Sequence, residues 1–146
     1  MSERRSTHLD AGPLAHTSMV RSALALVLVL VGIAWLVVYV VAAGPDSGGD
    51  SLARMGGLKR WNYLIGFGVV FLGLVVAAHP STPLGRGRGV VVGMLGSFLL
   101  GLVWIVTYYI LGATATVPLL TDLGQYNLVV GIGFMAVGFV YATRWE

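Results

Sequence analysis

Four long runs of this chain hold no Asp, Glu, Lys, Arg or His: Ala23–Ala43, Trp61–Ala78, Gly89–Gly112 and Tyr126–Thr143. Every ionisable side chain lies between or outside them. A helix crosses a bilayer core of about 30 Å with about 20 apolar residues. Backbone in lipid must satisfy its own hydrogen bonds, so runs of this kind are read as helices. Strand alternation is absent, and the runs are too long for barrel strands. Charged residues make up 10% of the chain, against about 25% in soluble domains. A cytosolic enzyme and a polar disordered chain are both excluded. The expected fold class is an all-α membrane protein of four transmembrane helices.

The first run follows Arg4, Arg5 and Arg21. It is longer than the apolar core of a signal peptide, so a retained helix is expected. Residues 1–22 read as a polar cytoplasmic tail. Breaker runs follow at Gly44–Arg60 and at 79–88, and a shorter connection at Ala113–Gln125 contains Pro118.

The chain repeats itself. Gly32, Trp35 and Tyr39 recur as Gly101, Trp104 and Tyr108 with the same spacing. Trp61, Asn62, Gly66, Gly68 and Gly73 recur as Tyr126, Asn127, Gly131, Gly133 and Gly138. A repeat of this length sets the architecture. Residues 23–80 form one helical hairpin, 81–88 a cytoplasmic linker and 89–146 a second hairpin. Two spans return the chain to its starting side, so the hairpins are tandem and parallel in orientation. With the N-terminus inside, Arg4, Arg5, Arg21, Arg86, Arg88 and Arg144 are cytoplasmic, while Arg54, Lys59 and Arg60 are outside. The excess of basic residues inside places both termini in the cytoplasm of a multi-pass plasma-membrane protein.

The chemical inventory is sparse. With no Cys, thiolate metal sites, Fe–S clusters and Cys nucleophiles are excluded. His8, His16 and His79 share no helix face, and Asp46, Asp50 and Asp122 read as solvated loop carboxylates. No catalytic residue, cofactor or metal site is expected. The basic residues are scattered, so nucleic acid is not an expected partner. Coupled carriers place ionisable groups inside their spans, and none is present here. A small four-helix transporter or channel subunit stays open as the alternative.

The spans carry packing chemistry instead. Gly89, Gly93, Ser97 and Gly101 recur every four residues, a small-residue stripe suited to close helix approach or self-association. Gly66 and Gly73 share a face, as do Gly131 and Gly138. Trp35 with Tyr39, and Trp104 with Tyr108, are pairs four apart on one helix face, suited to packing or to a partner. Asn62 and Asn127 open the returning helices, where N-capping is expected, with an interhelical hydrogen bond as the other reading.

The pattern Gly-x-x-Trp-x-x-x-Tyr, a loop, then Trp-Asn and a Gly-rich apolar helix ending Ala142-Thr143-Arg144-Trp145, resembles the actinobacterial cell division protein CrgA family. Leu123 to Asn127, Trp61-Asn62-Tyr63 and Gly32 to Trp35 carry the resemblance in both units. Family members typically have one hairpin, and this chain looks like two in tandem. Tyr126 stands where the family has Trp, and the first unit ends Ala78-His79-Pro80 without Arg-Trp. The resemblance implies a non-enzymatic membrane member of the division machinery, enriched at the septum. Its implied partners are the lipid bilayer, septal peptidoglycan synthesis proteins and FtsZ-linked components.

Overall fold

The computed structural model describes residues 18–43, 53–112 and 114–144. All regular structure among them is helical. Residues 1–17 of the polar tail, the Asp46–Asp50 stretch and Trp145 lie outside the described residues.

Helix α1 (Met19–Val38) runs on through a π-helical turn, Tyr39–Ala43. It starts inside the stretch read as tail, because the Ser18 side chain caps it by accepting from the Arg21 amide at 3.3 Å. Helix α2 (Ala53–Leu58) follows, and then α3 (Trp61–Ala77). A 3-10 turn at Pro83–Gly85 leads into α4 (Arg88–Leu111). Helices α5 (Pro118–Leu123) and α6 (Tyr126–Ala142) complete the chain. Helices α2 and α5 fall in segments expected to be loops. Six residues are too few to display an apolar period.

Helix α3 runs antiparallel along α1: Gly73 lies against Ala25 and Val29, and Gly66 against Gly32 and Leu36. Helix α6 runs antiparallel along α4 in the same way, with Gly138 beside Phe98 and Gly131 beside Gly101 and Ile105. The two pairs meet through α3 and α6. Two rings cross that boundary edge-on, Phe71 to Phe134 at 5.0 Å and Phe67 to Trp104 at 5.4 Å.

The repeat extends to the corners. Lys59 has φ +46° between α2 and α3, and Gly124 has φ +50° at the equivalent place between α5 and α6. Both corners turn the chain through a left-handed residue, a conformation Gly adopts freely and Lys does not.

The segments Met19–Ala43 and Arg88–Leu111 are long and apolar enough to cross a membrane. Helices α3 and α6 have 17 residues each, a length of about 26 Å. Each begins with its apolar run, at Trp61 and Tyr126, and stops one residue before the run ends. Large apolar side chains face outward, with Leu26 60%, Leu99 59% and Phe139 64% exposed. Such continuous apolar surface suits acyl chains, not water.

Candidate functional site

Gly32, Gly66 and Gly73 in one pair, and Gly101, Gly131 and Gly138 in the other, lie where the paired helices approach closely, whereas Gly68 faces open space and Gly133 faces Phe71 of the other unit. A β-carbon at Gly32 would lie 2.7 Å from the Gly66 carbonyl oxygen, and one at Gly101 would lie 2.5 Å from that of Gly131. No side chain fits there without separating the helices. Gly93 faces the ring of Tyr141, Ser97 is buried at 4% exposure, and Gly73 and Gly138 face Val29 and Phe98. The stripe on α4 is thus turned largely toward α6 within this chain. Gly96, beside the stripe, faces open space.

The asparagines do not cap their own helices. Arg60 and Gln125 are the N-caps of α3 and α6, and neither makes a side-chain cap bond. The fully buried Asn62 amide instead donates to the carbonyls of Met55 at 2.6 Å and Lys59 at 3.0 Å. Asn127 donates to Leu120 at 2.7 Å and Gly124 at 2.8 Å. Each clasps the preceding short helix and the bend that follows it, adding a side-chain donor to carbonyls of which Lys59, Leu120 and Gly124 also accept a backbone N–H. The capping expectation is corrected because the chain bends at Lys59 and Gly124, which brings those carbonyls over the asparagine.

The aromatic pairs part company. Tyr39 is buried and meets Tyr63 edge-on at 5.0 Å, whereas Tyr108 leans on Tyr109 at 5.4 Å. Trp104 is half-buried against Phe67 of the other unit, and Trp35 is half-buried on α1. The indole nitrogens of both tryptophans and the Oδ1 atoms of both asparagines are buried without a hydrogen-bond partner among the described residues. The same four-group pattern, one donor and one acceptor per unit, belongs to the repeat itself. Trp61 (65%), Tyr126 (57%) and Arg144 are exposed.

Among the described residues two hydrogen bonds join the units, one near each end. The Tyr63 hydroxyl donates to Asp122 Oδ2 at 2.9 Å, and the Tyr141 hydroxyl donates to the Leu74 carbonyl at 3.2 Å. Asp122 is therefore engaged, not a free loop carboxylate. Tyr141, Phe67 and Phe71 were not singled out by sequence, and Tyr63 was named only as part of Trp61-Asn62-Tyr63. The repeat offers no signal for them, because Tyr63, Phe67, Phe71 and Tyr141 have no aromatic equivalent in the other unit.

At the opposite end from the corners, the Thr82 hydroxyl donates to the carbonyls of Ala77 and His79 and accepts from the Gly85 amide. The Arg21 guanidinium reaches the Ser81 hydroxyl at 3.1 Å and the His79 ring at 3.2 Å. The Ser18 amide donates to the Ser81 carbonyl at 2.9 Å. The start of α1 is thereby tied to the connection between α3 and α4. Among the described residues no group of three or more His, Cys, Asp or Glu could hold a metal. The arrangement offers apolar surface, aromatic edges and close helix seams.

The family model for "Cell division protein CrgA" matches the chain in two segments, residues 2–79 and 82–146. Over 53 residues the chain is 42% identical to the cell division protein CrgA of Streptomyces avermitilis, covering 36% of this chain and 60% of that protein. It is 36% identical over 53 residues to the CrgA of Corynebacterium aurimucosum, covering 36% of this chain and 56% of the relative. The CrgA of Corynebacterium glutamicum strain R is 31% identical over the same length, with 36% and 57% covered. The chain thus spans about 60% of the length of these curated relatives. No solved structure matches the chain significantly.

Proposed function

This chain belongs to the CrgA family of cell division proteins, and from that premise we propose that it is a non-enzymatic scaffold or regulator of septum formation. It acts within the plasma membrane by binding the membrane segments of other division proteins. The observation that carries this reading is the family match over both segments of the chain.

The rest of the proposal follows from packing. Helices α1 and α4 supply two full spans, and α3 and α6 cross beside them as the shorter returning arms. A short arm is accommodated by local thinning of the bilayer at modest cost. Both termini lie in the cytoplasm, and the corners formed by α2 and α5 lie outside. The glycine seams are used inside each pair. Surface for partners is therefore left on the outward faces of α1 and α4, around Leu26, Val92 and Leu99. Septal peptidoglycan synthesis proteins and FtsZ-linked components are the expected partners, and a second copy of the chain would use the same faces. The transporter or channel reading gains no observation in its favour.

Affinity capture from gently solubilised, cross-linked dividing cells tests the proposal. Septal peptidoglycan synthesis proteins are expected to be enriched with the tagged chain. Leu26→Arg and Leu99→Arg variants that still insert are expected to lose that enrichment. Equal recovery of division proteins with an unrelated four-span membrane protein would count against it.

A further inference from the structure

Between the two corners, α3 and α6 diverge and leave a cleft of about 410 Å³. Its walls come in equivalent pairs: Trp61 and Leu64 from one unit, Tyr126 and Val129 from the other. These four side chains are apolar or aromatic, and all are more than half exposed at the cleft's mouth: Trp61 65%, Leu64 62%, Tyr126 57% and Val129 62%. Phe67 of α3 also lines the cleft.

The two charged groups on the cleft break the repeat. Arg60 has Gln125 as its equivalent, and Asp122 has Gly57. The Arg60 guanidinium has no hydrogen-bond or ion-pair partner among the described residues. Asp122 accepts from Tyr63 through Oδ2, which leaves Oδ1 for another donor. A cation and a carboxylate thus face one apolar cleft without neutralising each other.

We propose that this cleft binds a single phospholipid with a primary-amine headgroup. One acyl chain lies along Trp61, Leu64 and Val129. The phosphate sits on Arg60, as guanidinium groups favour phosphate oxygens. The ammonium reaches Asp122. Three features select this occupant over others. A wall of Trp and Tyr at one end of a membrane bundle sits at headgroup depth. An anionic lipid would satisfy Arg60 but set its charge beside Asp122. A quaternary-amine headgroup lacks the N–H donors that the carboxylate oxygen accepts.

The test is native mass spectrometry of the full chain released from nanodiscs holding phosphatidylethanolamine, phosphatidylglycerol and phosphatidylcholine in equal amounts. The wild-type protein is expected to retain phosphatidylethanolamine over each of the others by at least about fivefold, the scale of one charge-assisted contact. Arg60→Gln and Asp122→Asn are each expected to lower its retention to the level of phosphatidylcholine. Asp122→Asn keeps a side-chain oxygen for Tyr63, and Arg60 is exposed, so the fold is spared in both. Arg54→Gln, at the same end but off the cleft, is expected to behave as wild type. Equal retention of the three lipids, a preference for phosphatidylglycerol, retention of no lipid, or wild-type behaviour of Arg60→Gln would overturn the proposal. The result is independent of the division role, which partner capture reads separately.

Discussion

At the scale of single residues, the two corners provide a matched comparison. The chain bends through Lys59 in one and Gly124 in the other, both with positive φ. An L-residue there costs roughly 1–2 kcal/mol, offset in part by glycine's greater freedom when unfolded. Lys59→Gly is therefore expected to raise stability by about 0.5 kcal/mol, read as thermal unfolding in detergent. A clear loss of stability would mean the Lys side chain contributes something the geometry does not reveal. The asparagines make a stronger case. Each is fully buried and holds two carbonyls. Asn62→Ala and Asn127→Ala are each expected to cost about 1–3 kcal/mol. The two costs should be similar, since the clasps are equivalent. If one is silent in the same unfolding measurement, the repeat does not extend to energetics.

At the scale of elements, the seams between helices discriminate between glycines of one helix. Gly101→Leu places a side chain where the Gly131 carbonyl lies at 2.5 Å, while Gly96→Leu points into open space. The first is expected to weaken packing of α4 on α6 by on the order of 1–2 kcal/mol, and the second to leave it unchanged. Equal effects would mean that the stripe contacts something other than α6. Much at this scale was legible beforehand. The four apolar runs became α1, α3, α4 and α6, because lack of charge over such a length has few other solutions. Of the repeated glycines, Gly32, Gly66, Gly73, Gly101, Gly131 and Gly138 lie at the seams, and Gly68 and Gly133 do not. Helices α2 and α5 were not legible, being too short for a period, and the asparagine clasp was hidden with them. Contacts between units were hidden for another reason. Phe67, Phe71 and Tyr141 look like any apolar or aromatic span residue, and only the fold decides which of them face the other unit.

The whole molecule joins two equivalent helix pairs through unequal fastenings. Tyr63 and Asp122 bind them near the corners, and Tyr141 and Leu74 near the other end. Its topology is open to a clean assay, because the chain has no Cys. Single cysteines at Ser47 and Thr121 are expected to react with an impermeant thiol reagent in intact cells, and one at Ser6 is expected to react only after lysis. Labelling of Ser6 in intact cells would reverse the orientation. The central claim is the role in division, drawn from family membership and an outward apolar surface. Its most direct measurement is the position of a functional fluorescent fusion in dividing cells, followed by septum placement after deletion of the chain. The account predicts concentration of the fusion at the septum and misplaced or delayed septa in its absence. A fusion spread evenly over the membrane, with normal septa after deletion, would contradict it.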